Sequence, residues 1–124
     1  MHSQNPIEEL FKVATKIAVP SDIAELHPNF YLLAVEVDVM APTVPSGSVI
    51  AVDPNVQPAS DGTEIGIVEV SGERYICRPM MAMGQVVLHF DGPGIRSVTL
   101  PSSMAKVVGA VVWISTSEAI GMIG

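Results

Sequence analysis

The chain has 124 residues, 48% of them hydrophobic, with 13 acidic side chains against six basic ones and a formal net charge of -7. That length suits one domain around one core, its single cysteine excludes an intramolecular disulfide, and no run of ~18 uninterrupted apolar residues is present to span a membrane as a helix. The acidic balance, with Lys12, Lys16, Arg74, Arg78, Arg96 and Lys106 dispersed along the chain, argues against direct nucleic-acid contact, because phosphates are met by a Lys/Arg-rich face.

The first residues carry no charged segment followed by an apolar one, so no signal peptide is expected and a cytoplasmic location is. Asn5-Pro6-Ile7-Glu8 reads as a helix start, with Asn5 as cap, Pro6 in the first helical position and Glu8 reaching back. Ile7, Leu10, Phe11, Ala14 and Ile17 then share one face at helical spacing, and Pro20 disfavours helical geometry in the residue before it. Residues 1–29 are therefore expected to form an N-terminal helix and an extended arm, and 30–124 a β domain. Strands are expected near Phe30–Val37, Ser48–Val52, Glu64–Val70, Glu73–Arg78, Gln85–His89, Ser97–Leu100 and Val107–Ile114. Ser71-Gly72 reads as a two-residue hairpin turn, and Pro54 through Gly62 as an exposed loop. The pattern predicts a mainly β fold, a sandwich or partly open barrel with one short N-terminal helix. Met80, Met81 and Met83 cluster between two strands, where they either fill gaps or offer an adaptable surface.

Three stretches resemble one family. Val37-Asp38-Val39-Met40-Ala41-Pro42-Thr43-Val44, with Gly47 and a strand ending in Val52-Asp53, is similar to the catalytic loop of the LexA/UmuD/phage-repressor C-terminal domain, the peptidase S24-like proteases. Tyr75-Ile76-Cys77-Arg78 resembles the strand that carries that family's lysine, and Val107 to Ile114 its closing strand. The match runs over about residues 30 to 115, and it implies a LexA/signal-peptidase-like β fold.

The resemblance also places the family's nucleophilic serine at Val39 and its general-base lysine at Cys77. Valine has no hydroxyl with which to attack a carbonyl, and the adjacent arginine stays protonated and cannot serve as base. Residues 1 to 34 contain no glycine, so the Ala-Gly or Cys-Gly bond that relatives cut is missing as well. No catalytic residue is therefore assigned, and no cofactor or metal site is expected. Cys77 reads as a small buried hydrophobe; Cys77 as a nucleophile, or Ser46 or Ser48 as a non-family serine, would define an alternative hydrolase. His2, His27 and His89 have no sequence link to Cys77.

What the resemblance implies instead is a catalytically inactive regulatory module of a phage-repressor-type transcription regulator, forming a homodimer or a higher homo-oligomer. A UmuD-like subunit that binds another protein is the alternative. Relatives dimerise along their C-terminal strands, so Val111, Trp113, Ile114 and Ile120 are the candidate dimer interface, an apolar edge strand being an association hazard unless covered.

Overall fold

The computed structural model describes residues 19–115; the expected helix after Asn5, His2 and Ile120 lie outside the described residues. A short helix α1 (Ser21–Leu26) precedes seven strands: β1 (Tyr31–Ala34), β2 (Val49–Asp53), β3 (Gly66–Val70), β4 (Glu73–Ala82), β5 (Gln85–His89), β6 (Val98–Pro101) and β7 (Ala105–Ser115). They form one antiparallel sheet in the order β1-β2-β7-β3-β4-β5-β6. The mainly β expectation holds, with all seven strands in their expected places.

The sheet curls without closing. Leu33 and Ala34 of β1 and Val98 of β6, from its first and last strands, line the same cleft, yet the two strands do not pair. The concave side holds the main core, in which Met40, Val44, Ile50, Val52, Val68 and Leu88 are almost wholly buried. A smaller cluster on the other face packs Leu32, Val49 and Ala51 beneath Trp113 and Phe30. Strand β2, Val-Ile-Ala-Val-Asp, is thus covered on both faces, which is why it reads as continuous apolar sequence rather than alternation.

The β3–β4 turn is as expected: Val70 pairs with Glu73, and Ser71 and Gly72 take φ of 52° and 82°, the left-handed pair of a type I′ hairpin. Strand β4 runs four residues past the expected Arg78. Its first half pairs with β3 and its second with β5, and a further turn at Met83-Gly84, φ 55° and 77°, closes that hairpin. Pro79 is tolerated because its missing N–H shares the side on which Met81 donates to Ser60, away from β5. Strand β1 stops at Ala34, three residues short of expectation, because Val35 bonds irregularly to Gly47 and Ser48 and the chain then enters the 38–47 loop.

Strand β7 corrects the edge-strand expectation in part. It lies inside the sheet, its first half against β3 and its second against β2. Two register shifts, leaving Val108 and Val112 without a partner opposite, bend it between these neighbours. On the β3 side the last bond is from Val111 N–H to the Ile65 carbonyl, so the flank from Val112 to Ser115 has no strand beside it among the described residues.

Candidate functional site

The loop from Asp38 to Gly47 is fixed by short-range hydrogen bonds. Ala41 N–H donates to the Asp38 carbonyl, Val44 N–H to that of Met40 at 2.8 Å, and Ser46 N–H to the Asp38 carboxylate at 3.0 Å. The Ala41–Pro42 peptide is cis. Met40 and Val44 are fully buried and anchor the loop in the core, which leaves Pro42 and Thr43 exposed at its tip. From the far side, Gly92 N–H donates to the Val39 carbonyl. A Cβ at position 92 would stand 2.8 Å from that oxygen and 3.1 Å from the Asp38 carbonyl, so only glycine permits the approach.

Val39 is half-buried at the head of this loop, packs on the main core and lines the cleft. Cys77, on β4 opposite Gly66, is wholly buried in the same core. Burial pushes its thiol up to about 12. At pH 8 roughly one molecule in ten thousand would carry the thiolate, the form that attacks carbonyl or disulfide. Iodoacetamide is accordingly expected to leave Cys77 unmodified in the folded protein and to label it fully in denaturant; stoichiometric labelling under native conditions, read by mass spectrometry, would contradict this packing.

The other candidate nucleophiles are no better placed. Ser48 is fully buried and its hydroxyl donates to the Pro45 carbonyl at 2.6 Å; Ser46 is exposed, with no base beside it among the described residues. The described histidines bind elsewhere. His27 Nδ1 lies 2.7 Å from the Asp53 carboxylate and His89 Nε2 3.5 Å from Asp91.

Asp91, which the sequence reading missed, organises the polar side of this region. Its carboxylate accepts from Arg78 through Nε at 2.9 Å and Nη2 at 2.9 Å, and from the Thr43 hydroxyl at 2.7 Å, while its own N–H donates to Met40 Sδ. Arg78 Nη1 donates in turn to the Thr63 carbonyl at 2.7 Å. One half-buried ion pair therefore ties β4 to the 38–47 loop and to the 61–63 turn. The Arg78 guanidinium holds the Asp91 carboxyl below the usual carboxylate range despite its burial. The available signal was Arg78 itself, since a half-buried guanidinium requires a carboxylate or carbonyl partner.

The pairing of His27 with Asp53 was equally illegible. Asp53 is buried at the end of β2 and is kept low chiefly by the Asn55 amide, with His27 assisting against the cost of burial. Its contact with His27 fastens the end of α1 to the sheet.

The cleft between the sheet's ends has a volume of about 530 Å³. A shallower groove of about 520 Å³ follows the open flank of β7, with Trp113, Val112, Thr63, Glu64 and Arg78 among its walls. Of the expected interface residues, Val111 and Ile114 pack on the main core and Trp113 on the smaller cluster, each half-buried within the single chain. Among the described residues no group of His, Cys, Asp or Glu is placed to hold a metal ion, and no helix is long and apolar enough to cross a membrane.

In comparisons with known proteins, the family model described as Peptidase S24-like matches residues 3–112. No curated protein matches the chain.

Proposed function

Because the chain belongs to the peptidase S24-like family, we propose that it is a regulatory module of that family which has lost self-cleavage and acts by associating with itself, within or beside a phage-repressor-type transcription regulator. The observation that carries this reading is the apolar filling of the two positions where the family's dyad would sit. Val39 packs on the core with no group to ionise, and Cys77 lies buried in that core as the neutral thiol. With neither nucleophile nor base, a tetrahedral intermediate has no route of formation.

Self-association draws support from β7. Among the described residues Val112 to Ser115 offer an open flank bordered by the Trp113 groove, a strand edge of the kind that a second copy can extend. No observation favours a hydrolase that uses Cys77, Ser46 or Ser48.

Two measurements test the proposal. Incubation at pH 10, where a lysine base would be deprotonated, is expected to leave the chain intact on mass spectrometry; a discrete pair of fragments refutes the loss of cleavage. Light scattering over a dilution series to low micromolar concentration is expected to give a dimer or larger closed assembly. A monomer throughout refutes the association.

A further inference from the structure

The exposed apolar side chains of this molecule are not scattered evenly. Val37, Tyr75, Ile95 and Val98, each more than a third exposed, all border the cleft between the sheet's ends. Below them Ile50, Ile67, Ile76 and Phe90 form a buried floor that Val39 completes. Small-molecule sites are typically concavities of about 300–1,000 Å³ with apolar walls and a few polar groups, and this cleft of about 530 Å³ falls within that range.

Its polar groups carry the second half of the argument. The described residues include four with permanent positive charge, Arg74, Arg78, Arg96 and Lys106. Two of them, Arg74 and Arg96, line this cleft, with Glu36 the acidic side chain among its walls. Arg96 is exposed and forms no ion pair among the described residues, and Arg74 has a single long contact to Glu69 at 3.4 Å. A chain of net charge -7 thus gathers half of its described cations around an apolar hollow.

We propose that this cleft binds a small amphipathic carboxylate, its apolar chain over Ile50, Ile67, Ile76 and Phe90 and its carboxylate on the guanidinium groups of Arg74 and Arg96. The chemistry is that of a medium-chain fatty acid: guanidinium pairs with carboxylate in a planar, two-point geometry, and methylenes leave water for the floor. A cationic amphiphile would meet two like charges, and a purely apolar ligand would leave the arginines without use. The inference is independent of the proposed self-association.

The test is calorimetric titration of the full chain with decanoate and dodecanoate below their micelle-forming concentrations, beside dodecyltrimethylammonium. Dodecanoate is expected to bind once per chain, up to about tenfold more tightly than decanoate for its two further methylenes. The cationic amphiphile is expected not to bind. The double variant Arg74→Gln, Arg96→Gln, both at solvent-facing positions, is expected to weaken dodecanoate several-fold, and added salt to weaken it in the parent and not in the variant. Absence of binding, equal binding of the two head groups, or an unchanged affinity in the double variant would each overturn the proposal. So would displacement of dodecanoate, at lower concentration, by a peptide of apolar and acidic residues, which would make the cleft a strand-binding site.

Discussion

Replacing Cys77 with lysine is expected to cost about 4 kcal/mol or more of stability at pH 7. Cys77 is wholly buried among apolar side chains of the core. An ammonium group there loses its hydration and gains no carboxylate: Asp91 is already occupied by Arg78 on the neighbouring strand position. Buried lysines respond by releasing the proton, with pKa values displaced downward by ~3 units or more, each unit equivalent to about 1.36 kcal/mol. The sign of the pH dependence follows. The folded lysine has the lower pKa, so the unfolded chain binds the proton more tightly and unfolding is favoured wherever that proton is available. The penalty is nearly absent above pH ~10.4, grows as pH falls through the unfolded value, and levels off below the folded one.

Against a typical total of about 5–15 kcal/mol, such a loss places the Cys77→Lys variant near its unfolding threshold at neutral pH. Thermal unfolding followed by circular dichroism at pH 7 and pH 10.5 should show a large deficit at the first and a much smaller one at the second. Cys77→Ser serves as the control, since a buried hydroxyl costs about 1–3 kcal/mol with no titration in this range. A Cys77→Lys protein as stable as its parent at pH 7 would mean that the site already accommodates a charge, and the reading of Cys77 as core would fall.

Most of the frame could be read from local pattern. Gln85–His89 is bounded as the alternation suggests, and Ser71-Gly72 forms the turn that its small residues favour, because both depend only on neighbours in sequence. What could not be read depends on distance. Helix α1 has no periodic signature: the Pro20 carbonyl accepts from Ile23 and Ala24 and opens a helix too short to display a period. Strand β4 continues past the expected Arg78 because it changes partners there, from β3 to β5, and that change has no signature in the local sequence. The insertion of β7 between β2 and β3 has no local signature at all. The same holds for the site: the loop anchored by Met40 and Val44 was visible as motif, but Arg78–Asp91 and His27–Asp53 join residues 13 and 26 apart, and nothing in either segment names its partner.

Removal of Asp91 is the second large effect. Asp91→Ala leaves the Arg78 guanidinium, among the described residues, with the Thr63 carbonyl alone, strips Thr43 of its acceptor, and so releases the tip of the 38–47 loop from β4. Losing a hydrogen-bonded charge partner at such a half-buried site is expected to cost about 2–3 kcal/mol, on the order of 10 °C in unfolding temperature for a domain of this size. Arg78→Ala should cost a similar amount and the double variant clearly less than the sum, because each single change strands the other's charge. Asp91 also contributes to acid sensitivity. Its folded carboxyl lies below the usual range through the Arg78 bonds, so the stability it supplies is present above the ordinary carboxylate value of ~3.9 and disappears as pH falls through the folded one. Asp53, held low by the Asn55 amide, acts in the same direction and remains in the variant. The acid limb of the stability curve should therefore be shallower in Asp91→Ala but still present, while hydrogen exchange at the Ala41 and Val44 amides quickens in the folded state. If those two amides stay protected when Asp91 is gone, the loop is held by the burial of Met40 and Val44 alone, and the ion pair is a passenger on it rather than its clamp.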